Sequence, residues 1–291
     1  MPVLNKSLLL FHPTTEEDVR REYNLDKPGM MDQAIDILYE WIQKQEHLVK
    51  KDFCKEYLER VIISTKGSVE RAKLRVDKIC TLRPMAPELF TKVNVKEELP
   101  DLSHINVYMP ELTEDHYRIY SAIKARLKND LFYRNLRLYF QLAEYLKRND
   151  YANGIIIVID VRECNIMDLV TQMNFVDLHK IAEGFGFRIK NMFIISESKV
   201  INLFSNVLKR VLSAKLGERI TGLKCVEALQ DYLPKELLPK DFGGHSLLTF
   251  PIVAYVKEMK QAYTEESLRL SDQVNDDYLG MPGSFKILTV D

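Results

Sequence analysis

Leu233-Pro-Lys-Glu-Leu-Leu-Pro-Lys-Asp-Phe-Gly-Gly244 and the apolar run Gly154-Ile-Ile-Ile-Val-Ile-Asp-Val161 together decide the fold of this 291-residue chain. The run is too short for a buried helix and is rich in β-branched residues, so it predicts a buried strand. The later stretch, with two prolines and a double glycine, predicts an apolar segment that turns and stops. Several amphipathic segments lie between them. The combination favours a sheet that floors an apolar site under a helix, rather than an enzyme.

Composition and charge narrow the function classes. The chain has 41 basic and 42 acidic residues and a net charge of -1, so bulk charge gives no reason to expect nucleic acid as a partner. The mean hydropathy of -0.20 is typical of a soluble protein. The apolar stretch Ser7-Leu-Leu-Leu-Phe11 is too short for a signal peptide, and no stretch approaches the roughly 20 residues of a spanning helix. We expect a cytoplasmic protein.

The first third of the chain predicts a small all-α module. Apolar residues recur at helical spacing around residues 34–42, 53–63 and 68–82. Thr14-Thr-Glu-Glu17 is a capping-box pattern, which predicts a helix start at Thr14. Prolines and a charged segment then mark a boundary near residue 98. We therefore assign residues 1–98 to an N-terminal helical module.

The middle of the chain alternates strand and helix signals. Helices are predicted over residues 131–147, 166–185 and 199–213, and short strands over residues 105–109, 116–123, 154–161, 191–195 and 220–223. This alternation predicts an α/β domain with a mixed, mainly parallel sheet over residues 99–250. Residues 251–291 are expected to form a C-terminal helix and tail.

One predicted helix has two interpretations. The segment 199–213 carries an apolar stripe, and polar residues fill its other side. A surface helix on a fixed core and a lid over a mobile ligand show the same pattern. The stripe consists of Val200, Phe204, Val207, Leu208 and Val211.

A group of cations flanks this helix. If the chain is extended at Arg188, alternation places Arg188 and Lys190 on one side of the strand. Lys215 and Arg219 are four apart and share a face if their segment is helical. The group is either solubilising surface charge or a binding patch for a phosphorylated headgroup, which several cations hold by charge-assisted hydrogen bonds.

Catalytic motifs are missing from the sequence. No two histidines are spaced as a local metal pair, and no nucleophile elbow, zincin motif or P-loop occurs. Asp160, at the end of a predicted strand, could be a ligand or a base, but such carboxylates more commonly cap the next turn. We predict no catalytic activity, no cofactor and no metal site. A catalytic set assembled from distant segments remains an alternative.

Four segments carry a resemblance to a known family. They are Asn153-Gly-Ile-Ile-Ile-Val-Ile-Asp160, Phe187-Arg-Ile-Lys190, Lys215-Leu-Gly-Glu-Arg-Ile220, and the stretch Leu233–Gly244. Together they resemble the CRAL-TRIO lipid-binding family, which includes an α-tocopherol transfer protein and a cellular retinaldehyde-binding protein. The resemblance covers roughly residues 30–250 and the tail segment Gly280-Met-Pro-Gly-Ser-Phe-Lys286.

The resemblance implies a fold and a site. A small apolar molecule would lie on the sheet under a mobile gate helix, here Val200–Val211. The pocket residues implied are Ile155, Ile157, Ile159, Met192, Ile194, Val200, Phe204, Val207, Leu208 and Val211. The phosphoinositide-binding residues implied are Arg188, Lys190, Lys215 and Arg219.

The function implied is that of an intracellular carrier. It would bind a tocopherol-like, retinoid-like or similar isoprenoid lipid and exchange it at phosphoinositide-containing membranes. The alternative is a module that recognises phosphoinositides or a protein partner and has no transferable cargo. We expect a monomer that binds membranes peripherally and transiently.

Overall fold

The structure is a computed structural model that describes residues 9–85, 106–122, 149–163, 186–199, 201–245 and 250–251, and the single positions 137, 146, 147 and 165. The helix predicted over 166–185, most of that predicted over 131–147, and the predicted tail lie outside the described residues.

The helical N-terminal module is confirmed. Its helices are α1 (Thr15–Glu22), α2 (Met30–Gln43), α3 (Lys55–Ser64) and α4 (Val69–Met85). Their apolar faces meet in one core, because residues three and four apart lie on the same side of a helix. The most buried members of this core include Val19, Leu38, Ile42, Leu58, Ile62 and Val76.

The predicted capping box is wrong in its hydrogen bonds. Helix α1 does begin after Thr14, but the Thr14 side chain makes no capping hydrogen bond to the helix. Its hydroxyl instead bonds the carboxylate of Asp18, and this bond lowers the pKa of Asp18. The Thr14 hydroxyl thus donates to a side-chain carboxylate one turn along, whereas in a capping box it accepts from a backbone amide.

The sheet is mixed and mainly parallel, as predicted. Its strands are β1 (Asn106–Leu112), β2 (Tyr117–Ala122), β3 (Gly154–Asp160), β4 (Ile189–Ile195), β5 (Ile220–Leu223) and β6 (Phe250–Pro251). Their order is β5-β4-β3-β2-β1-β6. The pairs from β2 to β5 are parallel, whereas β1 is antiparallel to both β2 and β6. The two-residue strand β6 was not predicted.

Each face of the sheet has its own cover. Two further helices, α5 (Ile201–Val211) and α6 (Ala214–Gly217), follow β4. In the register, Ile157 pairs with Met192 and Ile159 with Ile194, so these side chains share one face, which we call the α5 face. The opposite face carries a separate cluster that includes Ile156, Val158, Phe193 and Ile195.

The stretch Leu233–Gly244 covers the opposite face. It forms two single 3-10 turns, and its apolar residues Leu233, Leu238 and Phe242 are buried in that cluster. Gly243 has φ +67°, which favours glycine. A Cβ on Gly244 would lie 2.0 Å from the carbonyl oxygen of Leu238. The double glycine is therefore required by the turn and by the close approach of backbone.

The helical module holds the segment that leads into β3. The Arg60 Nε atom donates to the carbonyl oxygen of Asp150 at 2.8 Å. Tyr151 donates to Glu59, which also accepts from Arg20 at 2.7 Å. Burial and the bond to Glu59 raise the pKa of the Tyr151 hydroxyl. The residues before β3 are thus fixed against α1 and α3. The domain boundaries predicted at residues 98 and 250 stay predictions.

Candidate functional site

Helix α5 lies on the sheet through a narrow apolar stripe. Ile201, Phe204 and Leu208 are buried, at spacings of three and four residues, whereas Leu203 on the outer side is 58% exposed. The helix follows a turn in which the Ser198 amide donates to the Ser196 hydroxyl oxygen at 3.2 Å. The sequence pattern of one apolar side and one polar side is thus realised as a helix covering a sheet face.

The contact between α5 and the sheet is closest at β5. A Cβ on Gly222 would lie 2.8 Å from the Ser205 Oγ atom and 3.2 Å from the Ile201 Cγ1 atom. Ser205 is buried, and its hydroxyl has no hydrogen-bond partner among the described residues. The missing side chain at Gly222 therefore lets this end of α5 approach the sheet.

The predicted pocket residues of the sheet do not all lie beside α5. Ile194 belongs to the cluster under α5, and Ile159 and Met192 are only partly buried at its margin. Ile157 is on the same face and is buried. Ile155, at the start of β3, instead lines a small cavity of about 30 Å³ next to the helical module.

The predicted pocket residues of the helix are divided by burial. Phe204 and Leu208 are buried on the sheet, and Val207 and Val211 are half-buried. Val200 lies outside the described residues. The assignment of these ten residues to a ligand pocket stays a prediction.

A second cavity lies between the helical module and the end of α5. It has a volume of about 600 Å³ and is bordered by the end of α3, by α4, by residues 187–189 and by residues 213–219. Of the fifteen described residues that line it, seven are Lys or Arg and one, Glu218, is acidic. We call it the basic cavity. Its cations are Lys66, Arg71, Arg75, Lys78, Arg188, Lys215 and Arg219.

Three of the four predicted phosphoinositide-binding residues line the basic cavity. Arg188, Lys215 and Arg219 do so, but Lys190 is not among its lining residues. The Lys190 ammonium group lies 5.0 Å from the centre of the Tyr117 ring, on the side of the sheet where the Arg188 guanidinium lies 5.5 Å from the same ring. Alternation therefore places Arg188 and Lys190 on one side, as expected, but the cavity reaches only Arg188.

Arg188 is already bound to other protein groups. Its Nη1 atom donates to the Asn153 side-chain oxygen at 2.5 Å and lies 3.6 Å from a carboxylate oxygen of Glu22. Burial lowers the pKa of Arg188; Glu22 raises it, and the nearby positive charge of Arg219 lowers it. Arg188 thus joins the helical module to the sheet. Arg219 also donates from its Nη1 atom to the Ile189 carbonyl oxygen, whereas Lys215 is exposed and is better placed to meet an anion.

Sequence reasoning missed the cations of the helical module. Arg71, Arg75 and Lys78 follow the helical spacing that puts residues on one face of α4, and Lys66 lies in the turn before it. The spacing was visible in the sequence. Which face of α4 meets the second domain is not a local property, so the spacing alone could not assign these cations to a site.

Other candidate groups have structural roles. Asp160 accepts hydrogen bonds from the Arg162 amide at 3.1 Å and from the Arg162 guanidinium at 2.8 Å, so it caps the turn after β3. In the described part of the chain, no three His, Cys, Asp or Glu residues are grouped to hold a metal ion. No helix there is both long and apolar enough to cross a bilayer.

A comparison with protein-family models agrees with this architecture. Residues 108–244 match the family model described as the CRAL/TRIO domain. None of the curated proteins compared with the chain matches it. A solved structure entitled "Crystal structure of Sfh5" is similar with a TM-score of 0.41 and 11% identity, covering 87% of this chain and 99% of that chain. The family match spans β2 to β5, α5 and the stretch Leu233–Gly244, and it ends before β6.

Proposed function

Because residues 108–244 of this chain are a CRAL/TRIO domain, a lipid-binding domain, we propose that the protein carries a small hydrophobic lipid. The cargo is a tocopherol-like, retinoid-like or similar isoprenoid lipid, bound between the α5 face of the sheet and α5. The protein exchanges this cargo at phosphoinositide-containing membranes and performs no chemical step. We propose a cytoplasmic monomer that binds membranes peripherally.

The α5 face of the sheet carries the proposal. Ile157, Ile159, Met192 and Ile194 form a continuous apolar floor across two central strands, and Ile159 and Met192 keep partial exposure beside α5. A ligand that buries about 400 Å² of apolar surface gains on the order of 10 kcal/mol at 25 cal/mol/Å², before the entropic losses of binding. That is enough for a soluble carrier of a water-insoluble molecule.

Helix α5 is suited to act as the gate of this site. Its inner stripe is apolar and its outer side is polar apart from Leu203. If α5 leaves the sheet, the exposed stripe is stabilised by inserting into the acyl boundary of a leaflet. Lys215 and Arg219 follow the end of α5, where they would hold the protein at an anionic surface during exchange.

Cargo binding is tested with a charge on the floor of the site. Purified protein is incubated with a mixed pool of natural lipids and isoprenoids, re-isolated, and its organic extract is analysed by mass spectrometry. Wild type and Leu203→Lys, which adds the charge on the exposed outer side of α5, should retain one enriched apolar species. Met192→Lys should retain much less while keeping its circular dichroism spectrum. Equal retention by both variants would place the cargo elsewhere.

Membrane binding is tested by removing cations. Lys215→Ala with Arg219→Ala should weaken co-sedimentation with phosphoinositide vesicles by about thirtyfold, because each cation near an anionic surface contributes about 1 kcal/mol. The control, Arg21→Ala with Lys44→Ala, removes the same charge from exposed positions in α1 and immediately after α2. Cargo binding in solution should be unaffected. Unchanged vesicle binding would refute this part of the proposal.

The basic cavity supports a second candidate function. A module that recognises phosphoinositides without cargo needs such a cavity and no apolar pocket. The two functions differ in the organic extract: a folded protein that binds phosphoinositide vesicles but retains no apolar species would be a recognition module.

A further inference from the structure

We propose that the Ser205 hydroxyl forms a hydrogen bond with the cargo, and that the cargo is an apolar lipid whose end group is neutral, a hydroxyl or a carbonyl. The inference rests on the proposed function and deepens it, because it names the group by which the site distinguishes one lipid from another. It assigns this selection to the helix that covers the site rather than to the strands beneath it.

Ser205 is the buried polar residue of α5. Of the four buried residues of the helix, three are apolar and the fourth is Ser205. Ser205 is 4% exposed, whereas Asn202 and Asn206 on the same helix are exposed. The side of α5 that lies on the sheet therefore contains one hydroxyl within an otherwise apolar surface.

The hydroxyl of Ser205 faces the sheet. A Cβ on Gly222 would lie 2.8 Å from the Ser205 Oγ atom. In the register, Gly222 pairs with Ile194 and Ile194 pairs with Ile159, so the three positions form one row across β5, β4 and β3 on the α5 face. Two strand spacings, about 10 Å, separate Gly222 from Ile159. An extended lipid that lies along this row can therefore place its end group at Ser205.

The Ser205 hydroxyl has no hydrogen-bond partner among the described residues. A serine within a helix can bond the carbonyl oxygen one turn back, here that of Ile201, but Ser205 does not. A buried hydroxyl without a partner costs free energy, and alanine would fill almost the same space without that cost. The packing of α5 on β5 therefore does not require the hydroxyl, whereas a partner that arrives with the cargo gives it a role.

The surroundings of Ser205 favour an uncharged partner. A serine hydroxyl both donates and accepts, so it can bond a hydroxyl or a carbonyl oxygen. Among the described residues, α5, β4 and β5 contain no buried Lys or Arg, and Lys209 and Arg210 of α5 are exposed. A carboxylate or phosphate placed under α5 would lose its hydration without gaining a cation from these elements. A hydrocarbon would leave the hydroxyl unpaired.

The test compares lipids that differ only in their end group. Two sets are used, farnesyl and retinyl compounds, each with an alcohol, an aldehyde, a carboxylic acid and a hydrocarbon. The full chain is incubated with each equimolar set and re-isolated, and the retained compounds are quantified by gas chromatography with mass spectrometry. Ser205→Ala removes the hydroxyl. The matched control, Asn206→Ala, removes a polar side chain from an exposed position of the same helix.

Wild type should retain the alcohol or the aldehyde at least about tenfold over the hydrocarbon, because a buried hydroxyl gains its partner on binding. In Ser205→Ala this ratio should fall to within about twofold of unity, while retention of the hydrocarbon does not decrease. Asn206→Ala should match wild type. Preference for the alcohol or for the aldehyde would support the inference and identify the end group. Preference of wild type for the acid or the hydrocarbon would overturn it, as would an unchanged ratio in Ser205→Ala.

The same measurement separates this inference from the proposed function. A wild-type protein that retains all members of a set equally is a carrier that does not select through Ser205, so the carrier function stands and the inference fails. If wild type retains a species from the mixed lipid pool but no member of either set, the end group of that species and its retention by Ser205→Ala decide by the same criterion. A folded wild-type protein that retains no apolar species contradicts both.

Discussion

Substitution of Gly222 by alanine tests how α5 is held on the sheet. The added Cβ would lie 2.8 Å from the Ser205 Oγ atom, closer than real Cβ contacts, and 3.2 Å from the Ile201 Cγ1 atom. The Ser205 Cβ atom lies at 3.8 Å, which is ordinary contact. The clash therefore comes mainly from one hydroxyl, and Ser205→Ala should relieve most of it.

Gly222→Ala and Ser205→Ala, made singly and together, form a double-mutant cycle whose magnitudes follow from the structure. Overpacking by one methyl group costs about 1–3 kcal/mol, from which about 0.4–1 kcal/mol is regained because alanine restricts the unfolded chain. Ser205→Ala alone should stabilise the protein by about 1 kcal/mol or more, because it removes a buried hydroxyl without a partner among the described residues. In the Ser205→Ala background, Gly222→Ala should be nearly neutral, which corresponds to a coupling energy of about 1–2 kcal/mol.

The assay is urea unfolding of the four proteins of the cycle, followed by circular dichroism. Equal destabilisation by Gly222→Ala in the presence and absence of the Ser205 hydroxyl would refute the contact between α5 and β5. A destabilising effect of Ser205→Ala alone would show that the hydroxyl has a partner and would refute the same reasoning.

Three further predictions concern the frame of the site. Asp150→Asn should lower the free energy of unfolding by about 3–5 kcal/mol, since it leaves the fully buried Arg118 without its carboxylate at 2.6 Å; urea unfolding would measure this loss, and a loss below 1 kcal/mol or so would count against the pair. Gly244→Ala should cost at least about 2 kcal/mol by the same assay, because its Cβ would meet the Leu238 carbonyl; a neutral result would show that the turn has room. Burial, with the negative charges of Glu22 and Asp115, raises the pKa of Tyr117 from 10.0 to about 12, so its contribution to stability is full below pH 10 and is lost as the pH rises towards 12. Tyr117→Phe should therefore lose less stability than wild type over that range, and identical pH profiles would contradict the burial of this hydroxyl.

The central strands were predictable because their signals are local. The run of β-branched residues in β3 and the apolar residues of β4 mark buried strands, and the two-residue period then places Ile157 and Met192 on one face without further information. The turn at the end of Leu233–Gly244 was also predictable, because a double glycine marks a turn in the sequence itself.

Features that depend on distant partners were not predictable. The capping box at Thr14 was displaced by Asp18, an acceptor whose own neighbours include His116 of the second domain. Strand β6 has two residues and exists through its pairing with β1. Neither the interaction of Thr14 with Asp18 nor strand β6 is marked by a sequence pattern of its own.

The cations of the basic cavity likewise include some that the sequence predicted and some that it did not. Lys190, Lys215 and Arg219 were grouped by their positions in the sequence and assigned to phosphoinositides by a family resemblance, but Lys190 lies outside the cavity lining. Arg71 and Lys78 have a helical spacing that any solvated face of a helix shows. Only the packing of α4 against the chain before β4 decides that these cations face the others.

Native mass spectrometry of the wild-type protein, after incubation with the mixed lipid pool and removal of unbound lipid, tests the carrier function most directly. The proposed site predicts a folded monomer carrying one apolar molecule of a single mass, released when the protein is denatured. A folded protein whose mass equals that of the chain alone would contradict the carrier function.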